Sequence, residues 1–179
     1  MNNINCDSSV SKLTILSANV NGLGDSAKRR EFFLHIEMAN PDIICLSDTK
    51  FSPDINDTVR NETNHYCFFN SLWSNARGVA VLIKKNCPIL VESNNHDETG
   101  NLLWMHWKFE GNPLLIGLIY NPNEDSPIFF DSIFDYVEHA NISDWIKTGD
   151  VNVTINHELD NYNYAQPRNA VLGIVWMNT

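Results

Sequence analysis

Two apolar runs near the start of the chain, Leu13–Ala18 and Asp42–Ser47, are separated by one stretch with helical periodicity. Runs that stay apolar at successive positions belong to strands buried on both faces. Between them, Phe32, Phe33, Ile36 and Ala39 mark the inward side of a helix. Asp25 or Ser26 can cap its start, and Pro41 stops it. Strand, helix and strand in this order close as a parallel pair, because the crossover helix returns the chain to the end where it began. Open α/β sheets bind their ligands at the carboxyl ends of such strands. Asn19 and Asp48, which follow the two runs, are therefore expected on one edge.

The rest of the chain adds strands and one more helix. Phe51 to Asn64 reads as a polar loop, and Tyr66–Phe69, Gly78–Ile83 and Ile89–Val91 as short strands. Glu92–Gly100 is polar. Leu102–Phe109 and Leu114–Tyr120 form a hairpin turned at Glu110-Gly111-Asn112-Pro113, with Trp104 and Trp107 on opposite faces. Ser126 caps and Pro127 opens a helix with the stripe Phe130, Ile133, Phe134, Val137. Beyond a polar loop at 156–164, Pro167-Arg168-Asn169 reads as the start of another helix, before an apolar stub at 171–176. Residues 1–11 are expected to be disordered, and 12–179 to form one domain.

The segment from Trp145 to Asn152 carries the most chemistry. It is a short strand that stops at Gly149 and presents Asp150 and Asn152 on the same side, while Val151 turns to the core. A carboxylate can hold or activate a water, and a neighbouring amide can donate to a phosphoryl oxygen. With Asn19, Asp48 and Tyr120, polar groups stand at four strand ends. Such a set can hold one hard cation that keeps most of its waters, as Mg²⁺ does.

Charge limits the partners. The net charge of −10 over 179 residues excludes a general polyanion-binding surface, though not a local patch aided by a bound cation. Lys28-Arg29-Arg30, the one basic triplet, reads as a solvated helix face. No apolar run reaches the 18 residues of a membrane span. Cys6, Cys45, Cys67 and Cys87 lack ligand-like spacing and read as reduced thiols of an intracellular protein, nuclear or cytoplasmic.

The segments LTILSANVNGL (13–23), PDIICLSDT (41–49), RGVAVLI (77–83), IYNPNEDSPIFF (119–130) and GDVN (149–152) occur in this order. Together they resemble the endonuclease domain of non-LTR (long interspersed) retrotransposons, within the endonuclease/exonuclease/phosphatase superfamily. The resemblance implies a four-layer α/β sandwich, two packed β-sheets flanked by helices, incomplete at the C-terminus. It implies a Mg²⁺-dependent endonuclease that hydrolyses a DNA phosphodiester and leaves a 3′-hydroxyl for target-primed reverse transcription. Asn19 and Asp48 would place the metal, and Tyr120 would contact the scissile phosphate. Asp150 would orient or deprotonate the attacking water, and Asn152 would stabilise charge on the phosphoryl oxygens. DNA is the implied partner, with a reverse transcriptase domain lost downstream and no membrane contact.

Three departures from that family's pattern lower the expected activity. Asp48 stands where the family has a glutamate, and Val151 replaces a phenylalanine. The closing Ser-Asp-His motif is missing, since none of His35, His65, His96, His106, His139 and His157 sits in one. The chain is thus expected to be a weak or inactive endonuclease. Two alternatives stand beside this: a catalytically silent relic or domesticated binding fragment, and a phosphoesterase of the same superfamily.

Overall fold

The computed structural model describes residues 12–73, 76–121, 127–150 and 173–176. Its first sheet begins with β1 (Thr14–Asn19) and β2 (Ile43–Ser47), joined by helix α1 (Ser26–Ala39). The two strands pair in parallel, Ile15 opposite Ile43 and Asn19 opposite Ser47. Asp25 caps α1 by accepting from the Lys28 amide, and Asn40 ends it in the left-handed conformation. Helix α2 (Pro53–Glu62) then leads to β3 (His65–Asn70) and β4 (Val79–Lys84). With β9 (Gly173–Trp176), antiparallel to β1, the sheet order is β3-β4-β2-β1-β9.

The second sheet has the order β5-β6-β7-β8, with β5 Ile89–His96, β6 Leu102–Phe109, β7 Asn112–Tyr120 and β8 Trp145–Asp150. Helix α3 (Pro127–Ala140) connects β7 to β8 and makes that pair parallel. The hairpin turn is shorter than expected. Glu110 and Gly111, both at positive φ, suffice to close it, and Asn112 already belongs to β7.

Three apolar clusters divide the molecule into four layers. Ile15, Ile43, Val81, Met105, Trp107 and Ile116 are among the residues packed between the sheets. Leu16, Leu46 and Leu82 on the outer face of the first sheet meet Phe33, Ile36 and Val59 of the helices. Trp104, Leu115 and Ile119 on the outer face of the second meet Ile133. Trp104 and Trp107 do point to opposite faces, and Tyr136 of α3 stacks on Trp104 with ring centroids 4.8 Å apart.

Several expectations need correction. The supposed loop from Phe51 contains α2, which begins at Pro53 and carries Asp54 in its first turn and Arg60 in its last. Its inward side is only Ile55 and Val59, too sparse to register as helical periodicity. Strand β5 runs five residues past Val91, to His96, because edge pairing with β6 needs backbone groups rather than an apolar pattern. Ala39 is exposed, as is Phe134, and α3 packs through Phe129, Phe130, Ile133, Tyr136 and Val137. The basic triplet is exposed at Lys28 and Arg30 but not at Arg29. Arg29 is buried, donating to Leu23 and Gly24 carbonyls and to both Glu62 oxygens, while Lys28 Nζ donates to the Val20 and Asn21 carbonyls. The apolar stub is strand β9 at 173–176, whereas residues 1–11 and the helix start at Pro167 lie outside the described residues.

Candidate active site

The first sheet contributes its groups through loops. Asn19 closes β1, and Asp48 follows β2 with φ 53°. Left-handed backbone costs a non-glycine residue about 1–2 kcal/mol, and the surrounding structure must overcome this. Here it does so with a row of backbone bonds. Gly22 N donates to Asp48 O at 2.7 Å and Leu23 N to Thr49 O at 2.8 Å. On the other side, Thr49 N donates to Gly78 O at 3.0 Å and Lys50 N to Arg77 O at 2.6 Å. Asn21, Lys50 and Arg77 on this rim are left-handed too. Gly78 has φ 96°, and a Cβ there would lie 2.6 Å from Thr49 Oγ1.

The second sheet contributes its groups directly from strand ends. Tyr120 and Asp150 are register partners on β7 and β8. The pairing continues one step further, with Asn121 N donating to Asp150 O at 2.8 Å. Gly149 is required by this approach: its φ is 113°, and an added Cβ would sit 2.0 Å from the Ile119 carbonyl oxygen. A side chain at that position would force β8 away from β7 and carry Asp150 with it.

The two contributions meet. Asn19 Nδ2 donates to Asp150 Oδ2 at 2.5 Å, joining the sheets through residues 131 positions apart. Asn19 Oδ1 accepts from Asn21 N at 3.0 Å, which fixes the amide's orientation. The Tyr120 hydroxyl lies beside the Asp48 carboxylate. Burial pushes the Asp48 carboxyl above its ordinary value, Lys50 and the Tyr120 hydroxyl pull it down, and Asp150 adds a further upward push. The Tyr120 phenol is likewise raised by burial and by both carboxylates, with Arg77 opposing. Asn19, Asp48, Tyr120 and Asp150 thus share one edge, and Asn152 lies outside the described residues.

Lys50 is the residue that the strand-end reading missed. Its ammonium stands 3.4 Å from Asp48 Oδ2 and donates to Asn21 Oδ1 at 2.8 Å. Its place two residues after Asp48 was the available signal, but only the left-handed turn at both residues brings the side chain back. Among the described residues, no three His, Cys, Asp or Glu side chains are grouped to cage a metal. The donors present are carboxylate and amide oxygens, with two acids close enough to raise one of them. This fits a hard cation held by one or two carboxylates and its own waters.

No family model matches the chain. Solved structures do. A humanised *D. rerio* TDP2 superposes with TM-score 0.63 at 17% identity, covering 85% of this chain and 67% of that one. The AP endonuclease LMAP from Leishmania major gives TM-score 0.62 at 18% identity, covering 79% and 56%. The Xenopus laevis APE2 catalytic domain gives 0.61 at 17%, covering 88% and 62%. The likeness establishes the fold, a four-layer α/β sandwich of two packed β-sheets flanked by helices. The chain spans between about half and two thirds of the length of these and similar structures. Among the described residues, no helix is long and apolar enough to cross a membrane.

Proposed function

We propose that this chain is a phosphodiester hydrolase domain acting on DNA, of the retrotransposon endonuclease kind, and that it is slow. The observation that carries the reading is the Asn19–Asp150 hydrogen bond beside the Asp48–Tyr120 contact. It supplies an oriented carboxylate, a phenol and a second, buried carboxylate within one small edge. Phosphoryl transfer needs little else from a protein than positioning and charge stabilisation.

In this reading Asp150 accepts a proton from a water whose oxygen attacks phosphorus. The bond from phosphorus to the 3′ oxygen breaks and that oxygen takes a proton from solvent, leaving a 3′-hydroxyl on one strand end and a 5′-phosphate on the other. Asn19 holds Asp150 through one carboxylate oxygen, and Tyr120 contacts the phosphate. Asn152 is assigned the donor to the phosphoryl oxygens. Asp48, with Asn19, would hold Mg²⁺, which when bound supplies positive charge to the reacting phosphate. Two solved structures of this fold hold DNA: a D. rerio TDP2 with a single-strand DNA product and a Neisseria 3′ phosphatase, NExo, with a product DNA hairpin. They support DNA as the substrate class.

Slowness follows from two features of the chain. Asp48 is one carbon shorter than the family's glutamate, and its carboxylate is shared with the Lys50 ammonium. A metal misplaced by about 1 Å costs on the order of a hundredfold in rate. The Lys50 contact also supports the alternative of a silent binding fragment, since it gives Asp48 a cation of its own. Nicking of supercoiled plasmid in Mg²⁺ decides between them. Slow nicking abolished in Asp150→Ala supports the enzyme, and binding without any nicking supports the silent fragment. Hydrolysis of simple phosphoesters in place of plasmid would favour the phosphoesterase alternative.

A further inference from the structure

Trp73 is 71% exposed, the most exposed tryptophan among the described residues. It sits just after β3, whose last residue, Asn70, pairs with Val79 at the start of β4. The base of this connection is anchored firmly. Asn70 is buried and donates Nδ2 to the carbonyls of Asp97 and Leu102 and to Asp97 Oδ1. Ser71 Oγ donates to Asn56 Oδ1 of α2 at 2.9 Å. Leu72 packs on Gly100, where an added Cβ would come within 3.1 Å of its Cγ.

Arg77 leaves the same place from the other side. Its neighbour Gly78 donates its amide to the Gly100 carbonyl at 3.1 Å, so Leu72 and Gly78 both rest on one residue. Arg77 is exposed, and among the described residues its guanidinium has no hydrogen-bond partner. The Arg77 carbonyl accepts at 2.6 Å from N of Lys50, two residues after Asp48, which sets Arg77 next to the candidate reaction centre. An exposed indole and an uncommitted guanidinium are thus held at the shoulders of one anchored connection.

We propose that Trp73 and Arg77 form a nucleotide subsite flanking the catalytic edge, Trp73 stacking on an unpaired base and Arg77 holding the adjoining phosphate. The proposal rests on the reading above that the substrate is a nucleic acid. A chain of net charge −10 gains little from a long-range field, so its affinity must come from local contacts. Stacking suits this need, since every base has a π-face and the contact does not depend on salt. A base inside a duplex stack does not offer that face. The subsite therefore selects single-stranded or frayed nucleotides next to the scissile phosphate.

The test measures binding of the full chain to labelled oligothymidylate and to an abasic strand of equal length, across a range of salt. Trp73→Ala should weaken oligothymidylate binding roughly tenfold with an unchanged salt slope, and Trp73→Phe should restore most of it. The abasic strand should be indifferent to Trp73→Ala. Arg77→Ala should weaken both strands and lower the salt slope by about one. Equal binding of both strands by wild type and Trp73→Ala would overturn the subsite, as would equal losses on both. Wild type that nicks plasmid as well as Trp73→Ala does, with equal KM, removes the subsite alone. Wild type that neither binds nor nicks removes the nucleic-acid reading with it.

Discussion

The two sheets deliver their polar groups to the same edge by different means. Tyr120 and Asp150 sit in the hydrogen-bonded register of β7 and β8, so the ladder that makes the sheet also places them. Asp48 stands one residue beyond its strand, in left-handed backbone, and is held by bonds to the loops on either side. Strand-borne groups need one permissive residue, Gly149; the loop-borne carboxylate needs a whole rim of matched turns. Position inherited from a ladder is robust to sequence change elsewhere. Position assembled from loops depends on several residues at once.

The largest expected effect tests the ladder side. Asp150→Ala removes the proposed proton acceptor and the partner of Asn19, and plasmid nicking should fall by about 10²–10⁴. Thermal unfolding should change little, because this strand-end carboxylate packs no core. A large loss of stability instead would mean that the sheets are joined mainly through this contact.

Gly149→Ala should cost several kcal/mol, roughly 3 or more, since its Cβ meets backbone 2.0 Å away in a conformation disfavoured for alanine. Gly78→Ala is the loop-side counterpart. There the nearest atom is a side-chain hydroxyl at 2.6 Å, able to turn away, so a loss of about 1–2 kcal/mol is expected. Paired chemical denaturation curves compare the two. Equal losses would erase the distinction between ladder and rim.

Asp48→Glu asks whether the rim can be tuned. Restoring the missing carbon should strengthen Mn²⁺ or Mg²⁺ binding measured by calorimetry, by up to about a hundredfold if misplacement of the ion is the fault. In wild type, burial raises the Asp48 carboxyl. Metal binding should therefore weaken on acidification at a higher pH than for an ordinary aspartate near 3.8.

The smallest effect lies away from the edge, at the half-buried His65. It borders a cleft of about 170 Å³ shared with Phe33, Glu37, Glu62 and Lys84. Burial lowers its pKa from 6.5, Lys84 and Lys85 add to this, and Glu37 opposes. With the folded value depressed, the neutral ring's contribution is complete above pH 6.5 and is lost as pH falls through the folded pKa. Melting temperature should decline over that window in wild type and stay flatter in His65→Gln. Parallel declines would assign the acid sensitivity to another group.

Much of this architecture is legible in the sequence, for particular reasons. β1, β2 and β4 are apolar on both faces because they are covered on both, and composition alone marks them. Asn19, Asp48, Tyr120 and Asp150 stand out because each follows or ends such a run. Helix α2 was invisible because only Ile55 and Val59 turn inward, and β5 because its second half is a polar edge. The Lys50 contact with Asp48 depends on left-handed backbone at both residues, and backbone handedness at a lysine leaves no mark in composition.

Arg29 has a wider consequence than its ion pair with Glu62. Its guanidinium bridges the end of α2 to the carbonyls of Leu23 and Gly24, in the same turn whose amides grip Asp48 and Thr49. Opening α2 therefore removes support from the turn that holds the candidate metal carboxylate. Fluctuations of the outer helices and of this rim belong to one cooperative unit, whose amides should exchange with solvent together. The ladder of β6, β7 and β8 can stay closed through such an opening, so the edge comes apart from one sheet only.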